Sequence, residues 1–175
     1  LPDQFLDRTW VGFSTRFQDM LVTMVDPDAA LIFQNPETHH VERIVRGPEN
    51  LRIWPHNYRS IQSFGDYIYF GTIEDDALRR YHYDTDSFEE VGDRLGHPIG
   101  IAADQYLFTR TRLGRYSVLD LATDSVVVQR QSEFLGDGML IHSISAGPEG
   151  SVVGGTYINQ GLFVYRPDAD KMESP

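Results

Sequence analysis

Cysteine is absent from the 175 residues. That excludes disulfide staples, thiolate metal centres and a cysteine nucleophile. It leaves the compartment open, with an extracellular setting slightly favoured. Lysine is nearly absent too: of the fifteen bases only Lys171 is not an arginine. No apolar run approaches the roughly 18 residues that a membrane-spanning helix needs, so no membrane partner is expected. No basic stretch followed by an apolar one opens the chain as a signal peptide would. No stretch carries a helical hydrophobic period. There is no nucleophile elbow, phosphate loop or dinucleotide fingerprint.

What is present is acid. Twenty-six acids face fifteen bases, a net charge of -11. Counterion release on a nucleic acid needs clustered cations, so no nucleic-acid partner is expected. An acidic, Lys-poor surface fits adaptation to high salt, where hydrated carboxylates keep a chain soluble. A GC-rich genome that favours Arg codons explains the same bias. At 41% hydrophobic and 12% aromatic residues the chain has the apolar content for one domain with a core. It begins at Leu1 rather than Met and ends at Pro175 just past a strand-like segment, which reads as a processed or excised piece of something larger.

The chain repeats itself. Gly154 to Met172 lies on Gly71 to Phe88 without a gap, 84 residues apart: Gly155-Thr156 on Gly71-Thr72, Leu162 on Leu78, Tyr165 on Tyr81, Asp168 and Asp170 on Asp84 and Asp86. Leu31 to Val41 matches Leu162 to Met172, and Thr123-Asp124-Ser125 matches Thr85-Asp86-Ser87. Approximate repeats span 8–54, 55–96, 97–138 and 139–175. Each reads as strand, turn, strand, loop, strand, turn, strand. Tyr67 to Thr72 is a dense run of aromatic and β-branched residues, and Asp84 to Ser87 is a hairpin turn. Four antiparallel strands every 40 residues or so is the sequence form of a propeller blade, whose two apolar faces are covered only by stacking on neighbours.

The unit resembles the generic blade of streptogramin-lyase-like, NHL, kelch and PQQ-type β-propellers, from about Leu21 to Met172. It lacks the Trp-Asp dipeptide of WD40 repeats and the paired glycines of kelch. We therefore expect an all-β fold, a β-propeller of four-stranded antiparallel blades with about four blades present. These either close as a four-bladed disc, form part of a six- to eight-bladed propeller, or pair with another chain segment or a second copy.

The candidate sites follow from that plan. Asp84/Asp86, Asp168/Asp170 and the loop Glu74-Asp75-Asp76 offer oxygen ligands to calcium or another divalent metal. Aspartate in a hairpin turn also bonds its own backbone, so no resident cofactor or metal is expected. His39, His40 and His82 read as exposed or structural. His56, His97 and His142 stand at or before the first strand of three successive units. In a propeller that position opens on one face of the central channel, so the three are expected to converge with Tyr58 as a catalytic set. Arg59, Arg110 and Arg112 supply carboxylate clamps, and Tyr157, Asn159 and Gln160 follow a strand of the fourth unit as further ligand-binding residues. Trp10 and Trp54 read as core. The leading expectation is a binding or scaffolding propeller for a carbohydrate or protein. A lyase acting on an acidic polysaccharide, as the resemblance implies, and an assembly module completed by another chain are the alternatives.

Overall fold

Continuous apolar runs such as Tyr67 to Phe70 and ones of alternating burial such as Leu162 to Arg166 set the strands, and tight turns set the order. The computed structural model describes residues 10–26, 30–47, 61–71, 75–111, 115–131, 140–157, 161–166, 169 and 171–173. Sheet I comprises β1 (Trp10–Phe17), β2 (Met20–Asp26), β3 (Ala30–Gln34) and β4 (Val41–Arg46). Sheet II comprises β5 (Ile61–Phe64), β6 (Tyr67–Gly71), β7 (Leu78–His82) and β8 (Ser87–Gly92). Sheet III comprises β9 (His97–Ala102), β10 (Tyr106–Arg110), β11 (Arg115–Asp120) and β12 (Ser125–Gln131). Sheet IV comprises β13 (Leu140–Ala146), β14 (Val152–Tyr157), β15 (Leu162–Arg166) and β16 (Lys171–Glu173). All four are antiparallel meanders with neighbours in chain order. Among the described residues no helix is long and apolar enough to cross a membrane.

The chain divides into two compact units, residues 1–93 and 94–175. In the first, Val22, Met24, Leu31, Phe33 and Val45 of sheet I form one core with Ile68, Phe70 and Tyr81 of sheet II. The inner strands are joined through Ser63, whose hydroxyl donates to the Arg16 carbonyl. In the second unit, Phe108, Tyr116, Val118 and Val128 of sheet III form one core with Val152, Phe163 and Tyr165 of sheet IV. Apolar area leaving water, at about 25 cal/mol per Å², drives both stackings.

The 84-residue repeat is architecture. β7 and β15 coincide under it, and Tyr81 and Tyr165 are both fully buried. Each packs on an aromatic of the preceding sheet. Tyr81 lies 5.9 Å from Phe33 and Tyr165 lies 5.4 Å, edge-on, from Phe108. A matching hairpin turn recurs in sheet III, while Asp168 and Asp170 of the 84-residue copy lie outside the described residues. Thr85 and Ser87 hydroxyls are 2.7 Å apart, Thr123 and Ser125 hydroxyls 2.8 Å. Asp86 and Asp124 take left-handed φ values of 52° and 53°, a conformation that aspartate tolerates better than most residues.

One of the cross-strand pairs in which the copies differ carries the packing. Phe70 faces Arg79 in sheet II, whereas Gly154 faces Phe163 in sheet IV. The aromatic has moved from the second strand to the third. Its ring occupies the space over Gly154, where an added Cβ would lie 2.2 Å from Phe163 Cζ. Gly154→Ala is therefore expected to lower stability by about 1–3 kcal/mol through overpacking, read as a reduced urea midpoint. Adding Phe163→Leu, which removes the ring atoms that meet the new Cβ, is expected to recover part of that loss. An unchanged midpoint for Gly154→Ala would contradict the packing.

Candidate functional site

Of the residues expected to form a site, His56, Tyr58, Arg59, Arg112, Asn159 and Gln160 lie outside the described residues. His142 sits on β13 at the register shift between Ile141 and Ser143, and Tyr157 ends β14 opposite Leu140. His97 and Arg110 come together. They are direct partners across β9 and β10, in a row that continues through Tyr116 to Arg130. Residues directly opposite in an antiparallel pair share a face, and this face carries Phe108 and Val118 into the core with sheet IV. His97 is 4% exposed and Arg110 5%. The pair is thus held inside the sheet III–sheet IV stacking. Gly96 makes the approach feasible. Its φ is +80°, and a Cβ there would lie 1.9 Å from the Arg110 carbonyl oxygen. Thr109 ties the same corner by donating to the Leu95 carbonyl at 2.5 Å.

A more developed polar constellation lies in the first unit, around Arg43, which sequence reasoning passed over. Arg43 of β4 reaches across to sheet II. Its Nη1 donates to the Tyr81 hydroxyl at 3.0 Å and to the Tyr83 carbonyl at 2.6 Å. Its guanidinium stacks 4.0 Å above the Tyr83 ring, a cation–π contact. The Tyr81 hydroxyl in turn donates to Asp86 Oδ1 at 2.7 Å. Burial, and then the Asp86 bond that uses its proton, push the Tyr81 hydroxyl up to about 12. The Tyr81 bond is the largest cause raising the pKa of Arg43. Sequence offered one signal: Asp86 recurs as Asp124 in a matching turn. Nothing marked Arg43, because its partners are about 40 residues away on another sheet.

Beside this clasp lies an open cleft of roughly 650 Å³, lined by Arg43, Ile44, Val45, Arg46, Gly47, Asp86 and Phe88. One wall is five consecutive residues of β4 and its exit. The other is the β7–β8 turn and β8. The clasp fixes the distance between the walls. A second exposed group crosses sheet II: Arg80 lies 4.3 Å over the Tyr67 ring and its Nε donates to Glu89 at 2.5 Å. Among the described residues no three His, Asp or Glu side chains converge as a metal centre would require.

The fold has many counterparts. The chain superposes over 95% of its length on a chain from the crystal structure of a mitotic checkpoint complex, with a TM-score of 0.71 and 9% identity. It superposes over 95% on the WD40 repeats of RRP9, with a TM-score of 0.70 and 11% identity. The four sheets are β-propeller blades. The chain spans about half the length of those two structures, 50% and 51%. It spans 91% of the computationally designed Ika4 protein, with 90% of this chain covered, a TM-score of 0.63 and 11% identity. No family profile matches the sequence, and no curated protein does. At 9–11% identity the likeness is one of blade architecture.

The clasp between the first two blades titrates in a defined way. The folded state holds the Tyr81 proton more tightly than the unfolded state, whose ordinary value is 10.0. Its contribution to stability is complete below about pH 10 and lost as the pH climbs toward about 12. Tyr81→Phe is expected to cost about 1–3 kcal/mol at neutral pH, because Arg43 and Asp86 each lose a buried partner. That deficit should shrink across the alkaline range in urea melts of the two proteins. A deficit independent of pH would contradict the assignment.

Proposed function

We propose that the chain is a binding and scaffolding propeller segment whose ligand is another protein, held at the cleft between the first and second blades. One observation carries this reading: the clasp of Arg43, Tyr81, Tyr83 and Asp86 braces a ready-made cleft on rigid strands. A preformed site loses little ordering free energy on binding. Blade likeness to a chain of a mitotic checkpoint complex, an assembly by name, supports a protein rather than a small solute. The test is native fractionation of extracts from the source cell. The 20.0 kDa chain is expected to travel in a larger species and to purify with a stoichiometric protein. In parallel, a panel of acidic glycans should give no rise in near-ultraviolet absorbance. Free migration without a partner, or the appearance of unsaturated uronate products, would overturn the reading.

A second reading is favoured by the coverage alone. Because 95% of this chain overlays only about half of the checkpoint-complex and RRP9 chains, further blades from another chain segment or a second copy complete the ring. Sedimentation of the 175-residue chain at several concentrations should then show association, and a strict monomer would count against it.

A further inference from the structure

We propose that an extended, acidic segment of the partner adds as a fifth strand to the open edge of β4, which deepens the binding reading above and rests on it. β4 is the terminal strand of sheet I and pairs only with β3 among the described strands. A terminal strand presents a row of backbone N–H and C=O groups that another strand can extend. Here that row is not on a flat surface. Arg43 to Gly47 run consecutively along the cleft, so its long axis follows the strand, and Phe88 supplies an apolar opposite wall. Its volume, roughly 650 Å³, falls in the range of about 300–1,000 Å³ usual for ligand sites.

The charge of the occupant follows from the lining. Arg43 pairs with Phe33 and Arg46 with Ala30, and the alternation of the strand puts the two arginines on opposite faces. An added strand likewise sends side chains to both faces, so a carboxylate on either side meets a guanidinium. The one acidic lining residue, Asp86, already accepts from Tyr81. With two arginines to one aspartate the lining is formally net positive on a chain of net charge -11, which selects an acidic segment. The other edges differ. β8 carries Glu89 and Glu90 in ion pairs with Arg80 and Arg79, and β12 exposes Val126 and Val127 with a single arginine, Arg130, near its end.

The probe is a fluorescent peptide of about eight residues, an ordinary strand length, alternating glutamate with valine and threonine. Its control carries glutamine for glutamate. The acidic peptide is expected to bind saturably and to weaken with salt, and the control at least about tenfold less well. Arg46→Glu should weaken the acidic peptide by about tenfold or more under conditions where its urea melt shows the variant folded. Amide exchange should slow at residues 42–47 on binding. Equal binding of the two peptides, indifference to Arg46→Glu, or protection confined elsewhere would overturn the proposal. So would self-association abolished by Arg46→Glu without peptide binding, which would assign the edge to a second copy. If the natural partner purifies equally with wild type and Arg46→Glu, the scaffold reading stands and strand addition falls. Peptide binding at β4 with no partner in the cell would sink the scaffold reading alone.

Discussion

A twisted sheet with two apolar faces has no stable existence alone, and the rest of this structure answers that constraint. Each described unit solves it by stacking one sheet on the next through a fully buried tyrosine of the third strand. Tyr81 meets Phe33, and Tyr165 meets Phe108 and Tyr116. Aromatic pairs of this kind contribute about 0.5–1.5 kcal/mol beyond the area they bury. They also fix where the strands of neighbouring sheets sit, which area alone does not. The hairpin turns of sheets II and III serve the same end. Asp86 and Asp124 adopt left-handed conformations that let the fourth strand start at once, so the sheet stays narrow enough to stack.

The same tyrosine leads from packing to a site. A buried hydroxyl requires partners. Tyr81 finds them in Arg43 of the preceding blade and in Asp86 of its own turn. The hydroxyl sits between a donor and an acceptor, and that order fixes its proton on the Asp86 side. Arg43 is then committed on one edge of its guanidinium and stacked on Tyr83. Two blades that hydrophobic contact would merely bring together become locked in register at their outer rim. The cleft is the space left between the two locked outer strands.

The fold was legible because propeller blades write their geometry locally. Apolar strand runs such as Tyr67 to Phe70, and turns such as Thr85-Asp86-Ser87, are set by residues a few positions apart, so four copies could be recognised by overlay. The copies even showed where they diverge. Leu78 is buried, whereas its counterpart Leu162 is 61% exposed, a difference that no local pattern encodes. The site was much less legible. The expectation that His97 stands at a channel mouth used its place at the start of β9, which is right as a position. It did not foresee that Gly96 and the register with Arg110 would put the ring on a face shared with a neighbouring sheet. The Arg43 clasp spans about 40 residues of sequence, and although Tyr81 and Asp86 belong to the repeat, Arg43 does not. Pairings between sheets are the information that a repeat pattern averages away.

Edge protection ties these observations together. Terminal strands are hazards, and proteins guard them with charge. β8 is guarded by Glu89 and Glu90, each held by an arginine of β7. β16 carries its own pair, Lys171 to Glu173, at 2.5 Å. β4 has charges of the same kind, yet Arg43 is drawn across to Tyr81 and Tyr83. The residue that would screen the strand edge instead braces the opposite wall. A strand edge whose middle arginine is drawn to the opposite wall, beside a formally net positive lining, is a retained opening.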